Sequence, residues 1–266
     1  MDHVTLHTGT EMPAMGLGTW QLTGDAAARV VRDALDLGYR MIDTSGDYGN
    51  QPAIREVLRS GGVDRSQVFL VTKVEEDEDV LRATRERLDE LGIEAADLVL
   101  LHRPPRWGAG EDLWRGLVAA RAAGLARDIG VSNYSPAQIE RLIEATGETP
   151  AVNQIEWSPF GHSRDVLDWS RAHDVVIQGY SPLTRGERLD APVLAGIGVR
   201  HGRTPAQVML RWNLQHGTVP LPKASTGEHL RENLEVFDFV LSREEMGWLD
   251  RLNERYSALA GDPAYA

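Results

Sequence analysis

Short apolar runs recur along this chain, separated by longer segments with apolar residues at helical spacing. That alternation restricts the fold more than any other feature. Eight runs qualify: Met15 to Gly18, Met41 to Asp43, Val68 to Lys73, Leu98 to His102, Ile129 to Ser132, Val152 to Ile155, Val175 to Gln178 and Val219 to Leu221. Most begin one βα unit after the last, and no linker or shift of composition divides the chain. One closed sheet of parallel strands, with residues 1–266 as a single domain, is the simplest account. A doubly wound sheet fits less well, because no G-x-G-x-x-G joins a first strand to a helix and Gly16-Leu17-Gly18-Thr19-Trp20 lacks the third glycine. The expected fold class is α/β, a (β/α)8 TIM barrel.

The helices carry their own boundaries. Ser135-Pro136 and Thr204-Pro205 each place a hydroxyl at an N-cap and a proline where no N–H is needed. Gly38, Gly92, Gly124, Gly147 and Gly217 stand where helices should stop. Ser242 and Glu245 form a capping-box pattern ahead of Met246, Leu249 and Leu252, which predicts an additional C-terminal helix. Val4 to Leu6 and Met12 to Met15, on either side of Thr8-Gly9-Thr10, predict an N-terminal β-hairpin.

Composition excludes several functions. The 28 basic and 40 acidic side chains give a net charge of −12, with no basic stretch to track phosphates, so nucleic-acid binding is not expected. Cysteine is absent, which removes thiolate metal sites and Cys nucleophiles. The first residues have neither a basic nor an apolar leader region, and no run is long enough for a membrane helix; a cytoplasmic enzyme is expected.

A barrel gathers reactive groups at the C-terminal ends of its strands. Here those ends carry Asp43, with Tyr48 just beyond, then Lys73, then His102. Singly, each has an ordinary explanation as a helix cap, a packing residue, a solvated strand end and a loop histidine. Together they form a proton-transfer site. A phenol near pKa 10 is a poor proton donor at neutral pH unless a cation stabilises its phenolate, which Lys73 can do while Asp43 holds and aims it. His102 can hydrogen-bond an oxygen on which alkoxide charge develops. Such a site lacks its own source of electrons.

The chain resembles the aldo-keto reductases over nearly its whole length, most closely the bacterial branch with short loops, similar to 2,5-diketo-D-gluconate reductases. The likeness is carried by Met12-Pro13-Ala14-Met15-Gly16-Leu17-Gly18-Thr19-Trp20, Asp43-Thr44-Ser45-Gly46-Asp47-Tyr48-Gly49-Asn50, Gly130-Val131-Ser132-Asn133-Tyr134, Asn153-Gln154-Ile155-Glu156, Gly179-Tyr180-Ser181-Pro182-Leu183, Pro222-Lys223 and Arg231-Glu232-Asn233-Leu234.

The resemblance implies carbonyl reduction with NADPH, without a metal, with Asp43, Tyr48, Lys73 and His102 as the catalytic tetrad and Tyr48 as general acid. It implies that Ser132, Asn133 and Gln154 hold the carboxamide, that Tyr180 stacks on the nicotinamide, and that Ser181 and Leu183 run along the pyrophosphate. Gly18, Thr19 and Trp20 join the cofactor set. Lys223 is the expected partner of the adenosine 2′-phosphate, with Ser225 and Thr226 opening a short helix whose N–H groups favour an anion. Glu232 and Asn233 match positions at the adenine edge. Trp20, Tyr48, His102 and Arg103 are the expected substrate contacts, with Trp107 and the tail from Tyr256 to Ala266 as further walls.

Three positions depart from the pattern. Ala224 replaces the usual Ser, and His229 stands where Arg often contacts the phosphate region, which admits NADH beside NADPH. Arg103 follows the histidine in place of the usual Trp; facing the pocket it would attract an acidic substrate, and facing outward it would pair with a surface carboxylate. The segment from Glu75 to Val80 reads as a solvated helix start, and His7, His162, His173, His201 and His216 as surface or loop residues without metal-ligand spacing.

The partners expected are a small carbonyl substrate, no nucleic acid and no membrane, with a monomeric protein. Two other classes compete. A nicotinamide-binding redox sensor or regulatory subunit would share the barrel and cofactor site, as potassium-channel β subunits do. An isomerase or aldolase would use Lys73 as a Schiff base.

Overall fold

The computed structural model describes residues 2–60, 62–76 and 79–259. Strands β1 (His3–Thr5) and β2 (Glu11–Pro13) form the antiparallel N-terminal hairpin. Eight parallel strands follow in one sheet, ordered as in sequence: β3 (Leu17–Gly18), β4 (Met41–Asp43), β5 (Phe69–Val74), β6 (Ala96–Leu101), β7 (Ala126–Ser132), β8 (Val152–Glu156), β9 (Val176–Tyr180) and β10 (Val219–Leu221). Each of the eight expected runs is one of them.

The sheet closes between first and last strands. Gly16 N–H donates to Pro220 O at 3.2 Å and Gly18 N–H to Pro222 O at 3.1 Å. A Cβ on Gly18 would lie 2.8 Å from the backbone oxygen of Leu221, so only glycine permits this approach. The same contact sets Lys223 beside the Gly18-Thr19-Trp20 segment.

Helices cover the outside: α1 (Gly24–Leu37), α2 (Gln51–Arg59), α3 (Val80–Leu91), α4 (Glu111–Ala122), α5 (Pro136–Thr146), α6 (Arg164–Ala172), α7 (Pro192–His201), α8 (Pro205–Gln215), α9 (Gly227–Leu234) and α10 (Arg243–Asp250). Full capping boxes form at Ser135/Gln138, Thr204/Gln207 and Ser242/Glu245, satisfying N–H groups that a helix start otherwise leaves unpaired. Gly38, Gly92 and Gly147 are left-handed C-caps, whereas Gly124 and Gly217 sit one residue beyond theirs. Helix α10 is the additional C-terminal helix.

Strand alternation sorts the core into two compartments. Met41, Phe69, Val71, Leu98, Leu100, Val152, Val219 and Leu221 fill the barrel, and Leu6 and Met12 from the hairpin join the same cluster. Their neighbours Ile42, Leu70, Ile155 and Ile177, with Val99, Leu101, Ile129 and Val131, pack outward against the helices. Counting two residues on from the inward set reaches Asp43, Lys73, His102 and Gln154, and Ser132 alternates with the outward Val131 on β7. The register that fills the barrel thus also aims the polar layer at its mouth.

Three of the histidines expected as surface or loop residues are half-buried. His162 lies between Trp157 and Trp212, where burial lowers its pKa, while His201 and His216 face Glu245 and Asp250 at 3.1 and 2.8 Å. Among the described residues no helix is long and apolar enough to cross a membrane.

Candidate active site

Strand β4 delivers Asp43, and a single turn of 3-10 helix, Gly46–Tyr48, swings Tyr48 back over it. Lys73, from β5, lies between the two: its Nζ donates to Asp43 Oδ1 at 2.8 Å, Thr44 O at 2.9 Å and Tyr48 Oη at 3.4 Å. Only 1% of Lys73 is exposed. Burial alone would drive its proton off, but the Asp43 carboxylate and the Tyr48 oxygen outweigh that, and the ammonium is held above its ordinary range. A Schiff base needs a neutral, accessible amine, so this lysine is unsuited to aldolase chemistry.

Tyr48 departs from expectation. Burial pushes its pKa up to about 12, and although Lys73 pulls it down, Asp43 and Asp47 push the other way. The phenol therefore stays protonated across the neutral range.

His102 stands across the mouth, its ring edge-on to Tyr48 with centroids 6.1 Å apart. It is 7% exposed, and its backbone is fixed at both ends: His102 N–H donates to Val74 O at 2.8 Å, and Asn133 Nδ2 donates to His102 O at 3.2 Å. Its Nδ1 lies 2.7 Å from Glu75 Oε1. Glu75 is thus half-buried against the histidine, not part of a solvated helix start, because α3 begins only at Val80 behind the Asp79 cap. Asp47, Glu75 and His102 bring one donor-type atom each within 4.8 Å of one another; with Nδ1 hydrogen-bonded to Glu75, proximity alone does not make a metal centre.

The polar layer continues around the barrel. Gln154 Nε2 donates to Asp43 Oδ1, the same oxygen that Lys73 holds, at 2.8 Å, and to Gln178 Oε1 at 3.0 Å. Ser132 Oγ donates to Gln154 O at 2.7 Å, and Asn133, at φ 65°, accepts from Tyr180 Oη at 2.8 Å. Burial pushes the Tyr180 phenol up, leaving a neutral ring at the mouth. Thr19 Oγ1 donates to Asp43 O at 2.7 Å. Asn50 ties this corner together, donating to Thr19 O and Leu22 O at 2.9 and 3.0 Å and accepting from Thr44 at 2.6 Å.

Trp20 is 40% exposed beneath the Arg185 guanidinium, 4.4 Å from its ring, and Ser181, Thr184 and Arg185 all have positive φ in the loop after β9. Leu183 in that loop is half-buried. Arg103 is exposed and within electrostatic reach of Glu75 and Tyr180. Trp107 is 82% exposed beside Arg106. The tail does reach the mouth: Ser257 Oγ and Ala258 N–H donate to Glu156 at 2.6 and 2.7 Å, and Tyr256 donates to Glu187. Residues 260–266 of the expected wall lie outside the described residues.

Farther round, Lys223, Ser225 and His229 are exposed at the start of α9, whose N-cap Thr226 accepts from His229 N–H at 3.3 Å. Glu232, half-buried, accepts from Thr204 at 2.5 Å through Oε1, and Asn233 is buried beside the Tyr39 hydroxyl.

A barrel mouth holding an Asp–Lys–Tyr relay with a histidine opposite is what the resemblance requires, and comparison with known proteins decides the family. The model of the Aldo/keto reductase family matches residues 14–254. The chain belongs to the aldo/keto reductase family. An aldo-keto reductase of Mycobacterium tuberculosis is 41% identical to this reductase over 256 residues, covering 94% of this chain and 91% of the relative. The crystal structure of an aldo/keto reductase from Brucella melitensis superposes with a TM-score of 0.88 at 35% identity, covering 94% and 99% of the two chains. That of a Bombyx mori aldo-keto reductase in complex with NADP gives 0.90 at 29% identity, covering 96% and 94%. This aldo/keto reductase is accordingly an oxidoreductase of the class that uses NAD(P)H.

Proposed function

We propose that this aldo/keto reductase reduces aldehydes, ketones or sugar-derived carbonyls to alcohols, with NADPH as the preferred cofactor and Tyr48 as the proton donor. The observation that carries this reading is the Lys73 ammonium held between Asp43 and Tyr48, at 2.8 and 3.4 Å. NADPH, when bound, supplies the hydride. Gln154 suits the carboxamide, because among the described residues both its side-chain hydrogen bonds run through Nε2, which leaves Oε1 to accept one. Ser132 and Asn133 flank it, and the Tyr180 ring offers a face for stacking, which fixes orientation. Ser181 and Leu183 lie along the path to Lys223, with Gly18, Thr19 and Trp20 on the facing strand end.

Tyr48 gives its proton to the carbonyl oxygen as negative charge develops there, and Lys73 stabilises the phenolate left behind. A phenol raised to about 12 is loaded for reduction at neutral pH. The reverse reaction needs the phenolate, whose population grows about tenfold per pH unit below that value, so alcohol oxidation should rise with pH. His102 hydrogen-bonds the same oxygen, and Trp20 and Arg103 border the substrate.

Lys223→Ala should weaken NADPH binding roughly tenfold while changing NADH binding little, because the interaction lost is a charge-assisted one to the 2′-phosphate. Fluorescence titration with both cofactors checks this; an equal loss for both would assign Lys223 another role. Arg103→Ala should raise KM several-fold for carbonyls bearing a carboxylate or phosphate and leave neutral aldehydes unchanged. Equal effects on both would turn Arg103 outward. Cofactor binding without turnover on any carbonyl of such a panel would favour the regulatory reading.

A further inference from the structure

Glu75 is the charged group at the catalytic corner that the reaction above does not use. It follows the last residue of β5, and its Oε1 both meets His102 Nδ1 at 2.7 Å and accepts from Ser45 Oγ at 3.4 Å. Burial raises its pKa, but the hydrogen bond and charge of His102, helped by Ser45 and Arg103, more than reverse this and hold Glu75 below the usual carboxylate range. An ionised carboxylate only accepts hydrogen bonds, so the proton in this contact belongs to Nδ1. A neutral imidazole has one N–H. Once Nδ1 carries it, Nε2 is bare, and a bare nitrogen cannot donate to a carbonyl oxygen.

We propose that Glu75 is a positioning residue that fixes the His102 proton on Nδ1, so that His102 donates from Nε2 to a carbonyl only as the doubly protonated imidazolium and, when neutral, accepts from an alcohol. This role rests on the reductase chemistry above. It makes His102 a pH-controlled selector of direction: the imidazolium serves reduction, and the neutral Nδ1–H tautomer serves oxidation. The charged surroundings are compatible with an imidazolium. Asp47 Oδ1 lies 3.8 Å from Nδ1 on the same side as Glu75, Arg103 is the adjacent residue, and Asp43 and Lys73 behind Tyr48 form a buried pair. Tyr48 stays neutral in the working range. Asp47 and Glu75 therefore face the imidazole, with Arg103 as a nearby cation.

Glu75→Gln is the discriminating variant, because the amide keeps the shape and can donate as well as accept, which frees the ring to carry its proton on Nε2. Long-range proton–nitrogen spectra of histidine-labelled full-length protein, with His102 assigned by comparison with His102→Gln, read the tautomer without any turnover. The neutral ring should hold its proton on Nδ1 in the parent and gain Nε2–H in Glu75→Gln. In kinetics, kcat/KM for carbonyl reduction should fall as pH rises in the parent, and this fall should be lost or displaced in the variant. A parent ring with its neutral proton on Nε2, or a Glu75→Gln profile superimposable on the parent's, would overturn the assignment. Absence of turnover in both proteins would instead overturn the reductase reading, while the spectra would still decide where the proton sits.

Discussion

Tyr48→Phe should lower carbonyl reduction by about 10²–10⁴-fold while leaving cofactor binding and stability close to those of the parent. The substitution removes one oxygen whose hydrogen bond within the site is the 3.4 Å contact from Lys73 Nζ. Lys73 keeps Asp43 and Thr44 O, so the lost contact amounts to about 1 kcal/mol. On the proposed reading, the same oxygen gives up the transferred proton beside the Lys73 ammonium. A large kinetic effect with a small structural one is the signature expected of a proton donor. Steady-state kinetics and thermal melts on both proteins check it, and undiminished turnover would remove Tyr48 from that role.

Lys73→Met should be costly in both respects. It leaves the Asp43 carboxylate, nearly inaccessible to water, without its counter-ion, and breaking a buried pair from one side typically costs about 3–5 kcal/mol. For a chain of this size the melting temperature should drop by roughly 10 °C. Turnover should fall as well, since nothing then stabilises the phenolate. The double variant Lys73→Met/Asp43→Asn separates the two losses: it should recover most of the stability, because the orphaned charge is gone, and none of the activity. A single Lys73→Met variant as stable as the parent would show that Asp43 is neutralised by some other group.

Much of this site was legible because strands alternate with a period of two. Asp43, Lys73 and His102 stand at the ends of apolar runs whose alternate members fill the barrel, so the strand ends and their common mouth follow from the same register. The N-caps Ser135, Thr204 and Ser242 were equally plain, being local in sequence. What escaped notice depends on chain paths that no local pattern encodes. Helix α7 carries no capping hydroxyl to announce it, although Pro192 and Gly202 mark its two ends. Asn50 looks like a helix cap, yet its amide reaches back to Thr19, 31 residues earlier, and makes no cap hydrogen bond. Glu75 sits in an acidic segment that reads as solvated, and only the turn after β5 shows it against His102. Glu156 ends a strand without an evident partner until the tail returns to it more than 100 residues later. The raised pKa of Tyr48 was missed for another reason: the Lys73 charge is visible in sequence, but the burial that outweighs it is not.

The most direct test mixes the parent protein with one equivalent of NADPH, confirms binding by nicotinamide fluorescence, and then adds an excess of a small aldehyde while following the reduced-nicotinamide absorbance and quantifying alcohol. One alcohol formed per NADPH consumed is the result predicted by a barrel mouth holding Tyr48 between Lys73 and a bound carbonyl. Bound NADPH that persists unchanged across a panel of neutral and acidic carbonyls, or no binding of NADPH or NADH at all, would contradict it.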